Sequence, residues 1–298
     1  MKLYTFDNGD GVKRVGVELS GFPGLIRDVR DFGLPYRDMT DLIRHITPLE
    51  KERISDPEAA LDGRPLRLSS VRVCSPIPHP EQDIICLGVN YAAHADESAQ
   101  FDRKAFLLDR KKATYFSKRA YQTSGPDDLI PSYPELVTSL DYEAELAVII
   151  GRDCKNVCER DAAACIFGYT VLNDVSARNL QTEHNQWYFG KSLDGFTPMG
   201  PCIVTEDEIP YPPALSISST VNGELRQHSN TSDLIFSPEE LVRYLMPRIP
   251  LKAGDVIFTG TPSGVMLGYP ADQKRWLRAG DTVEVTIEGI GTLKNSFQ

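Results

Sequence analysis

The sequence predicts a strand-rich α+β protein, and three observations carry that prediction. Short alternating or wholly apolar runs, bounded by Gly, Pro or Asp, recur from residue 83 to the end. Helical periodicity is confined to a few segments. The chain of 298 residues, 41% hydrophobic and 25% charged, has the composition of a folded protein that can bury a real core.

In chain order, residues 1–70 read as a small N-terminal domain. KLYTFD and RVGVEL are short strands, and MTDLIRHI is a helix with Asp38 or Thr40 as N-cap and Leu42, Ile43 and Ile46 on one face. SSVRVCSPIPHPEQD, broken by three prolines, reads as a linker, which places a boundary near residue 70 and a second domain over 71–298. The strands of that domain are DIICLGV, ELAVIIG, FGYTVLND, GPCIVT, LSISSTVNGE, DVIFTG and DTVEVTIEGIGTLKN. Helices are expected at AAHADESAQFDRKAFLLDRKK, with a break near Phe101, at ERDAAACIF, and at SPEELVRYLM. In the last, Ser237 and Glu240 form a capping box with Pro238 at the first helical position.

Charge narrows the partners. Asp and Glu number 42 against 32 Lys and Arg, a formal net charge of -10, so the chain lacks the positive field that grips nucleic acid. An anionic substrate would need a cation or a few placed basic residues to invert the field locally. No stretch approaches the ~20 apolar residues that cross a bilayer, and the first residues lack a basic region followed by an apolar one, so a cytosolic protein without a membrane partner is expected. Six scattered cysteines show no zinc spacing and read as reduced thiols in or near the core.

The most informative run is SLDYEAELAVIIG. As a strand it sets Leu140, Tyr142, Ala144, Leu146, Val148 and Ile150 on one face and Asp141, Glu143 and Glu145 on the other. Carboxylates ~7 Å apart on one face repel, and the run then turns apolar on both faces, which puts the acidic end at the rim of something buried. An isolated ExE would read as a solvated edge. A second acid, Asp174, ends the apolar run FGYTVLND, and beyond it Arg178 and Gln181 share a helical face. Carboxylates from two strand ends suit a hard cation, so Mg²⁺ is expected, with Mn²⁺ or Ca²⁺ meeting the same donor preference.

Three further segments complete the pattern. Lys191 sits between Gly190 and Gly195 in a stretch read as a loop open to close ligand approach. His94 and Glu97, three apart after a strand, let a carboxylate orient an imidazole that takes a proton from water. FTGTPSGV lacks the phosphate-loop patterns, yet its amides and the hydroxyls of Thr259 and Thr261 could hold an anion.

In this order, LGVNYAAHADE, DYEAELAVIIG, GYTVLNDVSARNLQ, GKSLDGFTPMGP, VNGE and AGDVIFTGTPSGV with LRAGDTVEVTIEGIGTLKN resemble the fumarylacetoacetate hydrolase family over about residues 82–298. The resemblance implies a mixed β-roll catalytic domain behind a small variable N-terminal one, assembled as a homodimer. It implies a metal held by Glu143, Glu145 and Asp174, with Lys191 facing the substrate oxyanion. Arg178, Gln181 and Thr261 fall on substrate-contacting positions, and His94 with Glu97 on the water-activating pair. The chain departs from the family in the long charged stretch after His94 and in Arg119, which follows Lys118 where the family has proline. That departure bears on the substrate more than on the chemistry.

The function expected is metal-dependent cleavage of a C–C bond in an acylpyruvate-type substrate, a small anionic 2-oxo acid, through a stabilised enolate. Tautomerisation or decarboxylation of a 2-oxo acid such as oxaloacetate or a 2-hydroxydienedioate uses the same enolate and is the alternative. A silent binding protein on the same fold is the non-enzymatic one, disfavoured by the complete residue set. A serine hydrolase is excluded because no GxSxG elbow is present.

Overall fold

The structure is a computed structural model that describes residues 1–56, 64–94, 97, 112–155, 161–183 and 186–298. The N-terminal strands are β1 (Lys2–Asp7), β2 (Lys13–Glu18), β3 (Leu25–Asp28), β4 (Leu66–Arg67) and β5 (Arg72–Cys74). Then come β6 (Ile84–Leu87), β7 (Tyr115–Lys118), β8 (Leu129–Ile130), β9 (Leu140–Asp141), β10 (Ala144–Ile150), β11 (Ile166–Asn173), β12 (Ser176–Ala177) and β13 (Met199–Thr205). The chain closes with β14 (Ser216–Val221), β15 (Glu224–Asn230), β16 (Val256–Phe258), β17 (Thr282–Ile287) and β18 (Gly291–Phe297).

The larger sheet has 11 strands in the order β4-β3-β2-β1-β13-β11-β10-β16-β6-β7, with β5 also on β1, and the smaller has five in the order β15-β14-β17-β18-β8. Pairing is antiparallel except between β16 and β6 and between β18 and β8, so both sheets are mixed. One core lies between the sheets, where Leu146, Val148 and Ile150 of β10 meet Ile217, Val285 and Leu293. The alternate residues Ala147 and Ile149 enter a second core with Leu3, Val17, Leu42 and Ile54 from the N-terminal segment. β10 is therefore buried on both faces, as its AVII run predicts. Each Leu, Val or Ile side chain so removed from water contributes about 1.5–3 kcal/mol.

Strands β1 to β4 continue the large sheet, since β1 pairs with β13. The segment read as a linker contributes β5, which pairs with β1 through Thr5, Phe6 and Asp7. Met39–His45 is helical with Asp38 as its N-cap, accepting from the Asp41 amide. A further helix, Pro48–Ser55, begins in a Thr47–Glu50 capping box that the sequence reading passed over. Ser237 and Glu240 form the expected capping box of the helix Pro238–Leu245. The described part of ERDAAACIF departs from the helix expected there: only a 3₁₀ turn, Ala163–Cys165, precedes β11, because Ile166 and Phe167 join that strand. Most of the helix expected after Tyr91 lies outside the described residues. Cys154 and Cys165 are joined by a disulfide, which corrects the all-thiol reading for this pair. Cys74, Cys86 and Cys202 are buried free thiols, and Cys158 lies outside the described residues. No helix among the described residues is long and apolar enough to cross a membrane.

Candidate metal centre and acid–base pair

The β10–β11 register sets Ala144 opposite Asn173, so the residue before one strand and the residue after the other become neighbours. The Asp174 amide donates to the Glu143 carbonyl at 2.9 Å, and the Glu143 amide donates to Asn173 Oδ1 at 3.0 Å. Glu145, two residues on, shares the Glu143 face. Carboxylate oxygens of Glu143, Glu145 and Asp174 all lie within 4.8 Å of one another, and all three side chains are buried. Oxygens on opposite sides of one Mg²⁺ or Ca²⁺ ion stand about 4–5 Å apart, so the spacing and the all-oxygen donor set fit a hard divalent cation.

Burial pushes the Glu145 carboxyl well above its ordinary range, and the nearby Asp174 and Glu143 push it the same way. The Gly260 amide, donating to Glu145 Oε2 at 2.8 Å, works against that rise. Gly260 has φ +92°, and a Cβ there would run into Asn90 Cβ, so glycine is needed both for the turn and for the approach. Burial pushes Glu143 up as well, but Lys191 and Arg178 outweigh it and hold the carboxyl down at about 2, with His94 acting in the same direction.

Three buried cations face these acids. Lys191 Nζ donates to Glu143 Oε2 at 2.8 Å and to Asp174 Oδ2 at 2.7 Å. Arg178 donates from Nε to Asp141 Oδ2 at 2.9 Å and from Nη1 to Gln181 Oε1 at 2.9 Å. Its Nη2 lies 2.7 Å from Glu143 Oε1 as an ion pair without hydrogen-bond alignment. Lys118 donates to Asp174 Oδ1 and to the carbonyls of Val175 and Phe196. Among the described residues, four buried carboxylates, counting Asp141, stand against these three cations, and with all four ionised one negative charge is in surplus. A divalent ion would turn that surplus into a single positive charge, the sign an anionic substrate needs.

His94 Nδ1 lies 3.1 Å from Glu97 Oε2. The Gly264 amide donates to Glu97 Oε1 at 3.1 Å and to Oε2 at 3.3 Å, so the acid is held by the Gly-rich turn. That turn spends its groups inside the protein. Thr261 donates to the Ala144 carbonyl at 2.9 Å and accepts from Gln227 Nε2 at 2.8 Å. Thr259 donates to the Leu146 carbonyl at 2.8 Å. Both hydroxyls strap the turn to β10.

Two other local readings change. Asp141 does not join Glu143 and Glu145, because the strand breaks between β9 and β10. Asp141 instead accepts from the amides of Met266 and Leu267, each at 2.9 Å. Lys191 ends a short helix, Tyr188–Lys191, and Gly190 serves helix packing, since a Cβ there would meet Ala177 O and Gln181 N at 2.6 Å. Lys118, Asn173 and Gln227 were missed as site-forming residues. The signal for Lys118 was a lysine closing the short run YFSK.

Residues 83–298 match the model of the fumarylacetoacetate (FAA) hydrolase C-terminal domain. The chain is 43% identical over 230 residues to "Oxaloacetate tautomerase YisK" of Bacillus subtilis, covering 77% of this chain and 74% of that one. It is 37% identical over 301 residues to "Oxaloacetate tautomerase fahd2, mitochondrial" of Xenopus laevis, covering 99% and 89%. Among solved structures, a fumarylacetoacetate hydrolase from Exiguobacterium antarcticum aligns at TM-score 0.81 and 36% identity over 100% of this chain and 99% of that one. Maleylpyruvate hydrolase of Sphingobium sp. SYK-6, in complex with manganese(II) and pyruvate, aligns at 0.76 and 30% over 100% and 98%. With this match spanning both carboxylate-bearing strands and the Gly-rich turn, the chain belongs to the fumarylacetoacetate hydrolase family.

Proposed function

We propose that the chain is a divalent-metal-dependent keto–enol tautomerase of a 2-oxo dicarboxylate of the oxaloacetate type, in place of the C–C hydrolysis that the sequence put first. The observation that carries this reading is the 37% identity to an oxaloacetate tautomerase along 99% of the chain, the N-terminal segment included. The charge arithmetic of the site supports it, since a metal-loaded centre carries the positive charge a dicarboxylate requires. Mg²⁺ remains our reading of the ion, and the manganese-bound relative supports Mn²⁺ as a working substitute. The homodimer implied by the family is carried forward as a proposal, checked by light scattering.

A divalent ion held by Glu143, Glu145 and Asp174 would supply Lewis-acid polarisation of the 2-oxo unit. Lys191 has three N–H donors; two are directed at Glu143 and Asp174, and the third would donate to an oxygen that gains charge as the enolate forms. With Glu97 accepting from Nδ1–H, His94 exchanges its proton through Nε2. In the ketonising direction a proton leaves the enol oxygen and one is delivered to C3. No carbon–carbon bond breaks and nothing is oxidised. Hydrolysis, the second reading, is favoured by the maleylpyruvate hydrolase likeness and would use the same imidazole to take a proton from water.

The test is to follow oxaloacetate enol absorbance with Mg²⁺- or Mn²⁺-loaded protein while NMR identifies products, beside an acylpyruvate cleavage assay. Ketonisation without pyruvate release, slowed about 10²-fold or more in His94→Ala, is the expected result. Acylpyruvate cleavage with no acceleration of ketonisation would overturn the reading in favour of the hydrolase.

A further inference from the structure

We propose that Gly268 is a positioning residue for Glu97, an inference that rests on the proton-transfer role of the His94–Glu97 pair given above. A Cβ built on Gly268 would overlap Glu97, and the three heavy atoms nearest to it are all Glu97's: Cγ, Cδ and Oε1. The backbone at 268 lies outside the left-handed region, so its conformation does not require glycine. Among the described residues, the seated glutamate is what a side chain there would meet first. Gly264, four residues earlier, is different: its φ is +101° and a Cβ would strike the Arg226 carbonyl, so the backbone itself explains that glycine.

The seat has a second wall and a stiff base. The Gly264 amide donates to both Glu97 oxygens. Beneath it, Asp141 accepts from the Met266 and Leu267 amides, while Val265 and Leu267 are buried against Trp187 and Trp276. Asp141 is in turn paired with Arg178, which also touches Glu143. The turn that receives Glu97 and the carboxylates that suit a cation therefore share one support. A methyl group at 268 would drive Glu97 off the turn and leave His94 without its orienting partner, while the three carboxylates keep their places.

Gly268→Ala tests this, because the backbone accepts alanine and the protein should fold. In histidine-¹⁵N-labelled protein, with His94 assigned through His94→Gln, Gly268→Ala should lose the Nδ1–H signature that pairing with Glu97 imposes. Turnover should fall by at least about 10-fold, part of the roughly 10²–10⁴ that a positioned base contributes, with Mn²⁺ affinity by calorimetry unchanged. In a Glu97→Ala background, Gly268→Ala should cost nothing further, since the clash is gone. Unchanged His94 resonances in Gly268→Ala, or additive losses in the double variant, would overturn the proposal. If Glu97→Ala alone kept full turnover while Gly268→Ala still altered the His94 signature, the seat would stand and the catalytic reading of the pair would fall.

Discussion

Lys118 and Asp174 form a buried ion pair between the end of β7 and the residue after β11, and the same ammonium also donates to the Val175 and Phe196 carbonyls. The lysine has no exposed surface. It holds Asp174 from the side opposite to Lys191, so each carboxylate oxygen has one lysine. Lys118→Met would leave Asp174, itself buried, with a single counter-charge. Breaking a buried pair from one side costs about 3–5 kcal/mol, so urea unfolding of Lys118→Met should show a loss of that size. A loss no larger than that of an exposed pair would mean that the lysine does not hold the acid.

Lys191→Met separates cation binding from chemistry. Removing a positive charge 2.8 Å from Glu143 and 2.7 Å from Asp174 should leave Mn²⁺ binding at least as tight as in the parent protein. Turnover should nevertheless fall about 10²–10³-fold, the range for losing one donor aimed at a developing oxyanion. Calorimetry and enol-absorbance kinetics on the same preparation check both halves, and retained turnover would remove Lys191 from the chemistry.

Glu145→Gln addresses the ligand set directly. The side chain is crowded by Asp174 and Glu143, so the amide relieves repulsion in the metal-free protein while giving up a charged donor. Mn²⁺ affinity should drop by about 100-fold or more, exceeding the roughly 10- to 100-fold cost of losing an outer partner, while the metal-free fold persists. Calorimetric titration at neutral pH, with circular dichroism as the fold control, decides it.

Asp255 supplies a pH test away from the site. Burial raises its carboxyl pKa, and Asp153 and Glu81 add to the rise, while the Lys252 amide, donating to Oδ2 at 2.8 Å, opposes it. A raised folded-state pKa favours the protonated form, so the associated stability is present at low pH and is lost as pH rises through that pKa. Above it, the ionised carboxylate is a net cost. Asp255→Asn should therefore melt higher than the parent at pH 7, with the difference closing as pH falls to about 3, below the ordinary Asp pKa of about 3.9. A constant difference across that interval would show that the effect is not one of ionisation.

Much of the site was legible because strand periodicity is a local property. SLDYEAELAVIIG places Glu143 and Glu145 on one face and Leu146, Val148 and Ile150 on the other whatever the rest of the chain does, and the structure keeps that alternation. Arg178 and Gln181 share a helical face for the same reason and are both buried. Asp141 broke the pattern because the chain leaves the extended path between β9 and β10, a break made by amides from residues 266 and 267 that no local rule contains.

The sequence by itself determined the strand-rich class, the faces of the strand that carries Glu143 and Glu145, the cap of the helix at Ser237, and the set of acids and bases that the family resemblance brings together. Only the tertiary structure decided that Lys118 stands behind Asp174, that Asp38 caps the first helix, that Thr259 and Thr261 strap the turn to β10, and that strands β1 to β4 extend the main sheet through β1 and β13. Periodicity and capping act within a few residues of chain, where backbone geometry alone fixes which side chains meet. A buried charge finds its partner across long separations, where the low dielectric of the closed core forces each ion to be matched by whichever strand arrives beside it.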